Sequence, residues 1–478
     1  MIVVGGGLAG LSSAIALAEA GCRVRLFEMR PHLGGRAASY SLPDGTEIDN
    51  CQHVTLGCCT NLADFYRRVG ASEKISYFDR IPFSDGRGRS SQIRLSHLPA
   101  PLHLAPSMFL FGLLSARDKL SIASVLGEIA RQGGQPADAR GVTMLEWLRR
   151  RRQTDTAVER FWKVVLVSAL DEDLDRAEAH YGIDVFWKSF LSNRAGFPMG
   201  VPNVPLSELY AGCRDALLSR GGEIRIRARA KGIRIEEERV AALVFDDGKE
   251  EVADAYIAAV PHAALLELLP ADLVDREPAF GNLRQLCDSP ITGIHFWFDR
   301  PVMREPFLAL VDMKSQWIFN RSMLLSVGKK PNRPSSIETG NETGLEGMPY
   351  LQVVISASYD LVPRSRQEII EMVRKEVELV LPASRAARLI KATVVKETTA
   401  TFSPAPGVDR WRPEARSPIR QLFLAGDWTR TGWPATMESA VRSGYLAAQA
   451  VLSSAGQHRA FLQPDLQPEG FAHIWGRL

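Results

Sequence analysis

A glycine-rich turn close to the first residue constrains the fold of this chain more than any other feature. The β-branched run Ile2–Val4 is followed at once by the turn Gly5-Gly6-Gly7-Leu8-Ala9-Gly10. Residues 11–20 continue as a helical pattern of small side chains that ends at a glycine. A strand, a tight turn and a helix in this order predict a unit that binds phosphate at the start of the helix.

Three glycines of the turn have separate mechanical roles in such a unit. Gly5 permits the tight turn, Gly7 lets the backbone approach a pyrophosphate, and Gly10 allows the helix to pack closely on the strand. The amides at the helix start, including those of Leu8 and Ala9, present the positive end of the helix dipole to the phosphate. Because glycine-rich turns occur widely, the turn alone is a weak signal, and the following residues must decide the ligand.

An acidic residue downstream of the turn favours an adenosine ribose as part of the ligand. Residues 23–27 predict a second strand, and Glu28 stands at its end, where a carboxylate accepts hydrogen bonds from ribose hydroxyls. An acid at this position disfavours a 2′-phosphate. Met29 and Arg30 come directly afterwards and are expected to lie along the same ligand. The predicted fold class is mixed α/β, with a Rossmann-type dinucleotide-binding domain.

The continuation of this segment separates FAD from NAD. The string Arg30-Pro31-His32-Leu33-Gly34-Gly35-Arg36 resembles the extended pattern of the flavin amine oxidase and phytoene desaturase superfamily. Gly34 and Gly35 allow the backbone to run beside the ribityl and pyrophosphate portion, and Arg36 offers a planar cation for phosphate oxygens or the flavin edge. The alternative is a surface turn with a solvated arginine. The resemblance implies FAD in a domain of the glutathione-reductase-like type.

A second motif near the other end of the chain completes the predicted cofactor site. Residues 422–425 form an apolar strand, Gly426-Asp427-Trp428 breaks it, and Gly432-Trp433-Pro434-Ala435-Thr436 opens another helix. This arrangement resembles the C-terminal flavin motif of the superfamily. The resemblance implies that Asp427 contacts the ribityl chain and that the helix start faces the pyrimidine side of the flavin. The motif contains no cysteine, so non-covalent FAD is expected. The residues assigned to the cofactor at this end are Gly426, Asp427, Thr436, Met437, Glu438 and Ala440.

The length of 478 residues favours two interleaved domains that share a cleft. Residues 224–261 read as short alternating strands, at the place where the superfamily has an adenine-contacting strand. The acidic run at 171–173 predicts a solvated helix start, and residues 329–347 predict a mobile loop. The predicted FAD-binding domain comprises residues 1–75, 205–288 and 396–455, the substrate-binding domain residues 76–204 and 289–395, and the C-terminal tail residues 456–478.

The segment after the first cofactor motif indicates a particular branch of the superfamily. It reads Asp49-Asn50-Cys51-Gln52-His53-Val54, then Leu56-Gly57-Cys58 and Thr60-Asn61. This segment resembles the hydroxysqualene dehydroxylase family, also called squalene-associated FAD-dependent desaturases, whose members commonly read DNGQHV-LGCY-N. The chain departs from that pattern at Cys51, where glycine is usual, and at Cys59, where an aromatic residue is usual. Cysteine makes the backbone at position 51 less permissive than glycine would.

The resemblance implies reductive removal of the hydroxyl group of hydroxysqualene to give squalene, feeding hopanoid synthesis in bacteria, with reduced FAD supplying the hydride. An allylic alcohol leaves as water only when it is protonated, and the delocalised cation then accepts a hydride. We hypothesise that His53, flanked by Asn50 and Gln52, either donates that proton or orients a water that does. The alternative is a histidine that makes a purely structural hydrogen bond beneath the flavin.

A long isoprenoid substrate requires an apolar tunnel and a route into it from a bilayer. The segment from Leu98 to Lys119 is expected to form that route as a membrane-dipping helix, with Arg117 and Lys119 near anionic headgroups. The alternative is a buried helix of the substrate domain. No apolar run reaches the roughly 18 residues of a spanning helix, and no secretory leader is evident. The expected location is the cytoplasm, peripheral to the inner face of the cell membrane.

Composition argues against two other classes of protein. The 58 basic and 55 acidic residues leave a net charge of +3 without a long basic run, so nucleic acid is not an expected partner. The six cysteines have no paired CxxC spacing, so no metal site is predicted. A separate NAD(P)H fingerprint is not evident either, and the electron donor of the flavin stays unassigned.

Three alternative functions remain open from the sequence. A carotenoid-type desaturase would run the flavin oxidatively and form coloured products, whereas an amine oxidase would release peroxide. A non-catalytic flavin-binding partner of squalene synthesis enzymes would bind flavin without turnover. Trp433 stands where amine oxidases carry one aromatic residue of a cage around the amine, but a second cage aromatic is not identifiable, which weakens the amine oxidase alternative.

Overall fold

The computed structural model describes residues 1–327, 345 and 347–475. The loop predicted at 329–347 lies outside the described residues except for Leu345 and Gly347. The strands are β1 Ile2–Val4, β2 Arg25–Glu28, β3 Ser39–Ser41, β4 Glu47–Asp49, β5 Thr55–Leu56, β6 Ile75–Phe78, β7 Arg80–Ser84, β8 Ser90–Arg94, β9 Met199–Pro202, β10 Glu223–Ile226, β11 Ala230–Glu236, β12 Arg239–Phe245, β13 Glu250–Glu251, β14 Tyr256–Ala258, β15 Asp288–Phe298, β16 Phe307–Leu310, β17 Trp317–Asn320, β18 Tyr350–Ile355, β19 Leu389–Phe402 and β20 Leu422–Leu424. The helices are α1 Leu8–Glu19, α2 Thr60–Arg68, α3 Ala105–Leu110, α4 Ala116–Arg131, α5 Met144–Arg150, α6 Asp155–Ala157, α7 Lys163–Leu170, α8 Ala179–Phe186, α9 Leu206–Leu209, α10 Gly212–Leu218, α11 His262–Leu268, α12 Ala271–Arg276, α13 Pro278–Gly281, α14 Arg321–Val327, α15 Arg366–Val380, α16 Met437–Ser454 and α17 Gly470–Trp475.

A five-stranded parallel sheet forms around β1, in the order β10-β2-β1-β14-β20. Val3 in β1 lies opposite Leu26 on one side and Ile257 on the other. Strands β1, β14 and β20 have three residues each, and all of these residues are buried, because a parallel sheet is covered on both faces. The strands come from both ends and from the middle of the chain. This sheet confirms the predicted α/β fold class.

Helices α1 and α16, from opposite ends of the chain, cross in close contact. A β-carbon at Gly444 in α16 would overlap the Ser12 hydroxyl and the Ala9 carbonyl of α1. A β-carbon at Gly10 would likewise overlap the Gly5 carbonyl. Glycine at these positions therefore lets the backbones approach, and the approach brings the two cofactor motifs to one edge of the sheet.

A seven-stranded sheet forms the second layer, in the order β19-β15-β18-β17-β16-β7-β8. Its strands pair antiparallel except for β16 and β7. Helix α15 packs Ile369, Val373 and Val377, spaced four residues apart, into the hydrophobic cluster on this sheet. Strand β19 crosses the predicted domain boundary at 395/396, and the division into two domains stays a prediction.

Two predictions from local pattern are wrong in the structure. The segment from Leu98 to Lys119 is not a single helix, because α3 covers only Ala105–Leu110, α4 begins at Ala116, and Phe111 turns into the core while Phe109 is exposed. The acidic run at 171–173 is not solvated, because Asp171 and Glu172 are both buried. No helix in the described ranges is long and apolar enough to cross a membrane.

The tight crossing of α1 and α16 leads to a testable expectation. Replacing Gly444 by alanine should lower the free energy of unfolding by about 1–3 kcal/mol, because the backbones must separate to admit the methyl group. The control is Gly127→Ala in α4, where the nearest atom to the new β-carbon is the flexible Arg131 Nη1 at 3.5 Å. That control should be neutral or stabilising by up to about 1 kcal/mol. Equal urea midpoints for the two variants would contradict the expectation.

Candidate active site

The glycine-rich turn is fixed to the segment that follows β2 by one carboxylate. Glu28 accepts hydrogen bonds from the backbone amides of Gly6 at 2.6 Å and Arg30 at 2.7 Å. Gly5 has a φ of 105°, a conformation that favours glycine. A carboxylate has about four acceptor positions, so Glu28 retains capacity for ribose hydroxyls. Met29, at the rim of this turn, is exposed.

A backbone cradle lies between this turn and the second glycine pair. The Gly34 amide donates to the Gly6 carbonyl at 2.8 Å, and a β-carbon on Gly35 would lie 2.9 Å from the Gly7 Cα. No described side chain caps the N-terminus of α1, so its first-turn amides are available to an external acceptor. Close backbones and uncapped amides fit a pyrophosphate, and Leu8, Ala9 and Gly10 would hold it.

Arg36 and Asp427, which the two sequence motifs predicted independently, meet in an ion pair. Arg36 Nη2 lies 2.6 Å from Asp427 Oδ1, and its Nη1 donates to the Ala400 carbonyl at 2.5 Å. Desolvation opposes the charge of Arg36, but the Asp427 carboxylate outweighs it and raises the pKa of the guanidinium. A cavity of about 250 Å³ adjoins this pair and is also lined by Trp428, His262 and Asp288. A second cavity, of about 220 Å³, is lined by Arg30, Gly35, Asn50 and Glu397.

Arg412 holds the loop between β20 and α16, and nothing in the sequence pointed to it. Its side chain is 1% exposed. Its Nη2 donates to the carbonyls of Asp427 at 3.1 Å, Thr429 at 2.6 Å and Trp433 at 2.9 Å, and its Nε to the carbonyl of Trp428 at 3.4 Å. A guanidinium has five donors in a fixed fork, so one buried side chain can set the path of the whole loop.

An ionic cluster behind Arg412 connects this loop to the helical layer. Asp409 Oδ1 accepts from Arg412 Nη1 at 3.0 Å and from the Tyr181 hydroxyl. His180 lies between Glu178 and Asp409, 3.4 Å from each carboxylate. Desolvation opposes the imidazolium, but the two carboxylates raise the pKa of His180 above its ordinary value. The start of α8 is thereby tied to the predicted flavin loop.

The residues at the start of α16 have two roles, which are to cap the helix and to bind α2. Thr436 is the N-cap, and its Oγ1 accepts from the Ser439 amide at 3.1 Å. The Glu438 carboxylate points to α2 and accepts from the amides of Asn61 at 3.2 Å and Leu62 at 2.7 Å. Burial raises the pKa of Glu438 despite these bonds. Because its side chain is bound to α2, Glu438 can contribute to the predicted flavin site only through its backbone, alongside Met437 and Ala440.

The segment that carries Asn50, Gln52 and His53 is held against the first cofactor motif. Asn50 Nδ2 donates to the Arg36 carbonyl at 2.9 Å and to Glu397 Oε2 at 3.1 Å. Cys51 has a φ of 58°, the left-handed conformation that favours glycine. The cysteine therefore keeps the backbone shape that glycine would adopt there, at a cost in strain.

Arg321 anchors the same segment from the second sheet. It forms a buried ion pair with Asp49 and donates to Gln52 Oε1 at 3.0 Å. His53 Nδ1 lies 3.3 Å from the Cys51 carbonyl. Desolvation lowers the pKa of His53, so its imidazole is neutral near pH 7.

A buried acid that the sequence assigned to a solvated helix start lies in the same neighbourhood. Asp171 Oδ1 accepts from the Ala357 amide at 2.8 Å and Oδ2 from the Thr401 hydroxyl at 2.9 Å. Desolvation raises the pKa of Asp171 well above its ordinary value. Its charge also contributes, after desolvation and Glu397, to the raised pKa of Cys51.

The turn, the glycine pair and the joined motifs define a Rossmann-type dinucleotide-binding protein. Residues 8–452 match the family model of flavin-containing amine oxidoreductases, and the chain belongs to this family of oxidoreductases. Membership implies a flavin cofactor. The superfamily indicated by the sequence motifs is thus confirmed.

Relatives found by sequence include carotenoid desaturases. The 15-cis-phytoene desaturase of Solanum lycopersicum is 28% identical over 95% of this chain and 77% of that protein. The zeta-carotene desaturase of a Synechocystis species is 26% identical over 95% of this chain and 97% of that protein. These relatives are desaturases, whereas the segment from Asp49 to Asn61 resembles the hydroxysqualene dehydroxylase family.

Solved structures show the same fold. An oxidoreductase from Methanosarcina mazei superposes with a TM-score of 0.73 at 19% identity, covering 95% of this chain and 99% of that chain. Cyclohexylamine oxidase from Brevibacterium oxydans has a TM-score of 0.68 at 16% identity, with coverage of 95% and 99%.

Arg412→Lys should lower the flavin content of the purified protein. Lysine cannot reach all of the loop carbonyls, and each buried carbonyl left without a donor costs about 1–3 kcal/mol. The matched control is Arg410→Lys, because Arg410 is exposed. The measurement is the ratio of flavin to protein absorbance, followed by titration of the apoprotein with FAD. Wild-type affinity in the Arg412→Lys variant would rule out a clamping role.

Proposed function

We propose that this protein binds FAD non-covalently and uses the reduced flavin to convert hydroxysqualene to squalene. The observation that carries the proposal is the segment from Asp49 to Val54. It bears the sequence resemblance, Asn50 bonds to the backbone of Arg36, and Cys51 adopts a left-handed conformation that favours glycine, the residue usual at this position in the dehydroxylase family. This agreement between the local backbone and the family pattern supports the proposal.

A long isoprenoid as substrate is supported by two independent features. The relatives named above are desaturases of phytoene and zeta-carotene, which are long isoprenoid hydrocarbons. One contiguous cluster of buried apolar residues includes Leu104 and Phe111 beside α3 and Trp428 and Ala435 in the loop before α16. Apolar packing therefore extends from α3 to the predicted flavin site, which supports an apolar substrate.

The reaction exchanges a hydroxyl group for hydrogen. Reduced FAD, when bound, supplies the hydride; protonation releases the hydroxyl as water, so one proton and one hydride are consumed per squalene formed. Since the Cys51 carbonyl can only accept, His53 Nδ1 carries the hydrogen and Nε2 presents a lone pair. A neutral His53 therefore suits a positioning role, in which Nε2 accepts a hydrogen bond from a water and orients it, rather than donating as an imidazolium, and the proton that is consumed comes from solvent.

His53→Ala should retain flavin but lower the turnover number at least about a hundredfold. Because burial lowers the pKa of His53, the wild-type rate should stay level at neutral pH and fall only when the pH drops below the ordinary histidine value and protonates the ring. His53→Gln, which keeps an acceptor oxygen, should recover part of the activity. Near-normal turnover of His53→Ala, or a rate that falls as pH rises through neutrality, would contradict this role.

The overall reaction is tested under anaerobic conditions. The purified protein is photoreduced, hydroxysqualene is added in detergent, and flavin reoxidation is followed while the lipid extract is analysed. We expect reoxidation with formation of squalene. Flavin that stays reduced, with hydroxysqualene recovered unchanged, would overturn the dehydroxylase assignment.

A carotenoid desaturase is the second candidate, and the names of the relatives favour it. The oxidised protein incubated with 15-cis-phytoene would then form a product with extended conjugation and visible absorbance. Peroxide release with amines would instead indicate an amine oxidase, and bound flavin without turnover a non-catalytic partner. Acid precipitation distinguishes non-covalent from covalent flavin, because non-covalent flavin remains in the supernatant.

A further inference from the structure

An uncharged apolar surface covers α3 and the start of α4. We call it the apolar face, and it consists of the exposed side chains Leu98, Leu102, Phe109, Leu110 and Leu120. Phe109 is 79% exposed, Leu110 76% and Leu120 73%. Soluble proteins rarely expose so many large apolar side chains together, and such surfaces mark interaction sites.

The backbone beneath the apolar face is rigidly held. Ser115 and Asp118 form a capping box at the start of α4, and Thr154 donates a further hydrogen bond to Asp118. Lys119 Nζ donates to the Phe109 carbonyl at 2.6 Å, which holds α4 against the end of α3. Buried Phe111 packs edge to face on Phe83 of the second sheet. The exposed side chains are therefore displayed by ordered elements.

The exposed charged residues at the edges of the apolar face are mostly basic. The sequence has no Asp, Glu, Lys or Arg between Arg94 and Arg117. Arg117 is exposed and Lys119 half-buried at one edge, and Arg94 lies at the other, where Asp79 is 3.7 Å away. Asp118, the acid next to Arg117, is buried in the capping box. The result is an apolar centre with a basic edge.

Helix α17 in the C-terminal tail lies next to this region. The Ala472 amide donates to the Ala100 carbonyl at 3.2 Å, and Gly470 lies against Pro99. Ile474 on α17 is 55% exposed. The predicted C-terminal tail is thus packed against the segment that leads into the apolar face.

We propose that the apolar face docks on an anionic lipid bilayer, with Phe109 and Leu110 inserted among the acyl chains and Arg117 at the headgroups. The match of an apolar centre with a basic edge to acyl chains and anionic headgroups favours a bilayer over a second copy of the chain, which would bring like charges together. Helix α3 has only six residues, so in this proposal it lies in the interfacial region of the bilayer and does not span the membrane. The docking does not depend on the proposed substrate.

The test is flotation of the holoprotein with vesicles, without substrate. Vesicles contain phosphatidylcholine alone or equal parts of phosphatidylcholine and phosphatidylglycerol. Phe109→Ser with Leu110→Ser should lower partitioning to the anionic vesicles at least about tenfold. Arg117→Gln should lower it about fivefold on anionic vesicles only. The control is Val252→Ser with Leu379→Ser, which changes two exposed apolar residues elsewhere and should float as the wild type does.

Several outcomes would overturn the proposal. The wild type could fail to float with either vesicle, or the control double variant could lose binding as much as the Phe109/Leu110 variant. Light scattering after size-exclusion chromatography tests the alternative that the apolar face binds a second copy of the chain. A wild-type dimer that does not float and that Phe109→Ser with Leu110→Ser converts to a monomer would make the face a contact between copies. Because no substrate is present, failure here is distinct from failure of the dehydroxylase assay.

Discussion

Where α1 and α16 cross, Gly444 has no room for a side chain against Ser12 and the Ala9 carbonyl. This steric constraint brings the two ends of the chain together, and the cofactor site is assembled on top of it. The helix starts then lie at one edge of the parallel sheet, and Arg36 can reach Asp427 across 391 residues of sequence. Asp427 is buried and Arg36 is half-buried, so the ion pair costs desolvation and persists only where the surrounding backbone fixes both partners.

The second requirement is that the loop carrying Asp427 keeps one shape. Its carbonyls point inward, where water cannot satisfy them, and the buried guanidinium of Arg412 supplies the donors instead. Arg412 is itself neutralised by Asp409, which also faces His180. The raised pKa of His180 means that this cluster keeps an additional positive charge to a higher pH than an ordinary histidine would. The stability that this pairing contributes is complete below the ordinary histidine pKa and declines as pH rises through the raised one.

The sequence could predict those parts of the site whose residues lie close together in the chain and serve one function. The turn from Gly5 to Gly10 and the acid at Glu28 belong to one short segment, so their spacing alone was sufficient to predict a nucleotide-binding unit. Arg412 was not predictable, because its partners are carbonyls that only the tertiary fold gathers. The direction of Glu438 was also hidden, since a position on α16 does not reveal that α2 lies opposite. Asp171 looked solvated because a run of acids usually is, whereas the end of α7 is buried here.

Burial acts in opposite directions on His53 and Asp171, two ionisable groups in the neighbourhood of Cys51. It lowers the pKa of His53 and raises that of Asp171, so burial favours the uncharged form of each group. A delocalised carbocation survives long enough to accept a hydride only where no strong base or anionic nucleophile can reach it. Two groups whose uncharged forms are favoured by burial therefore suit a reaction that passes through such a cation.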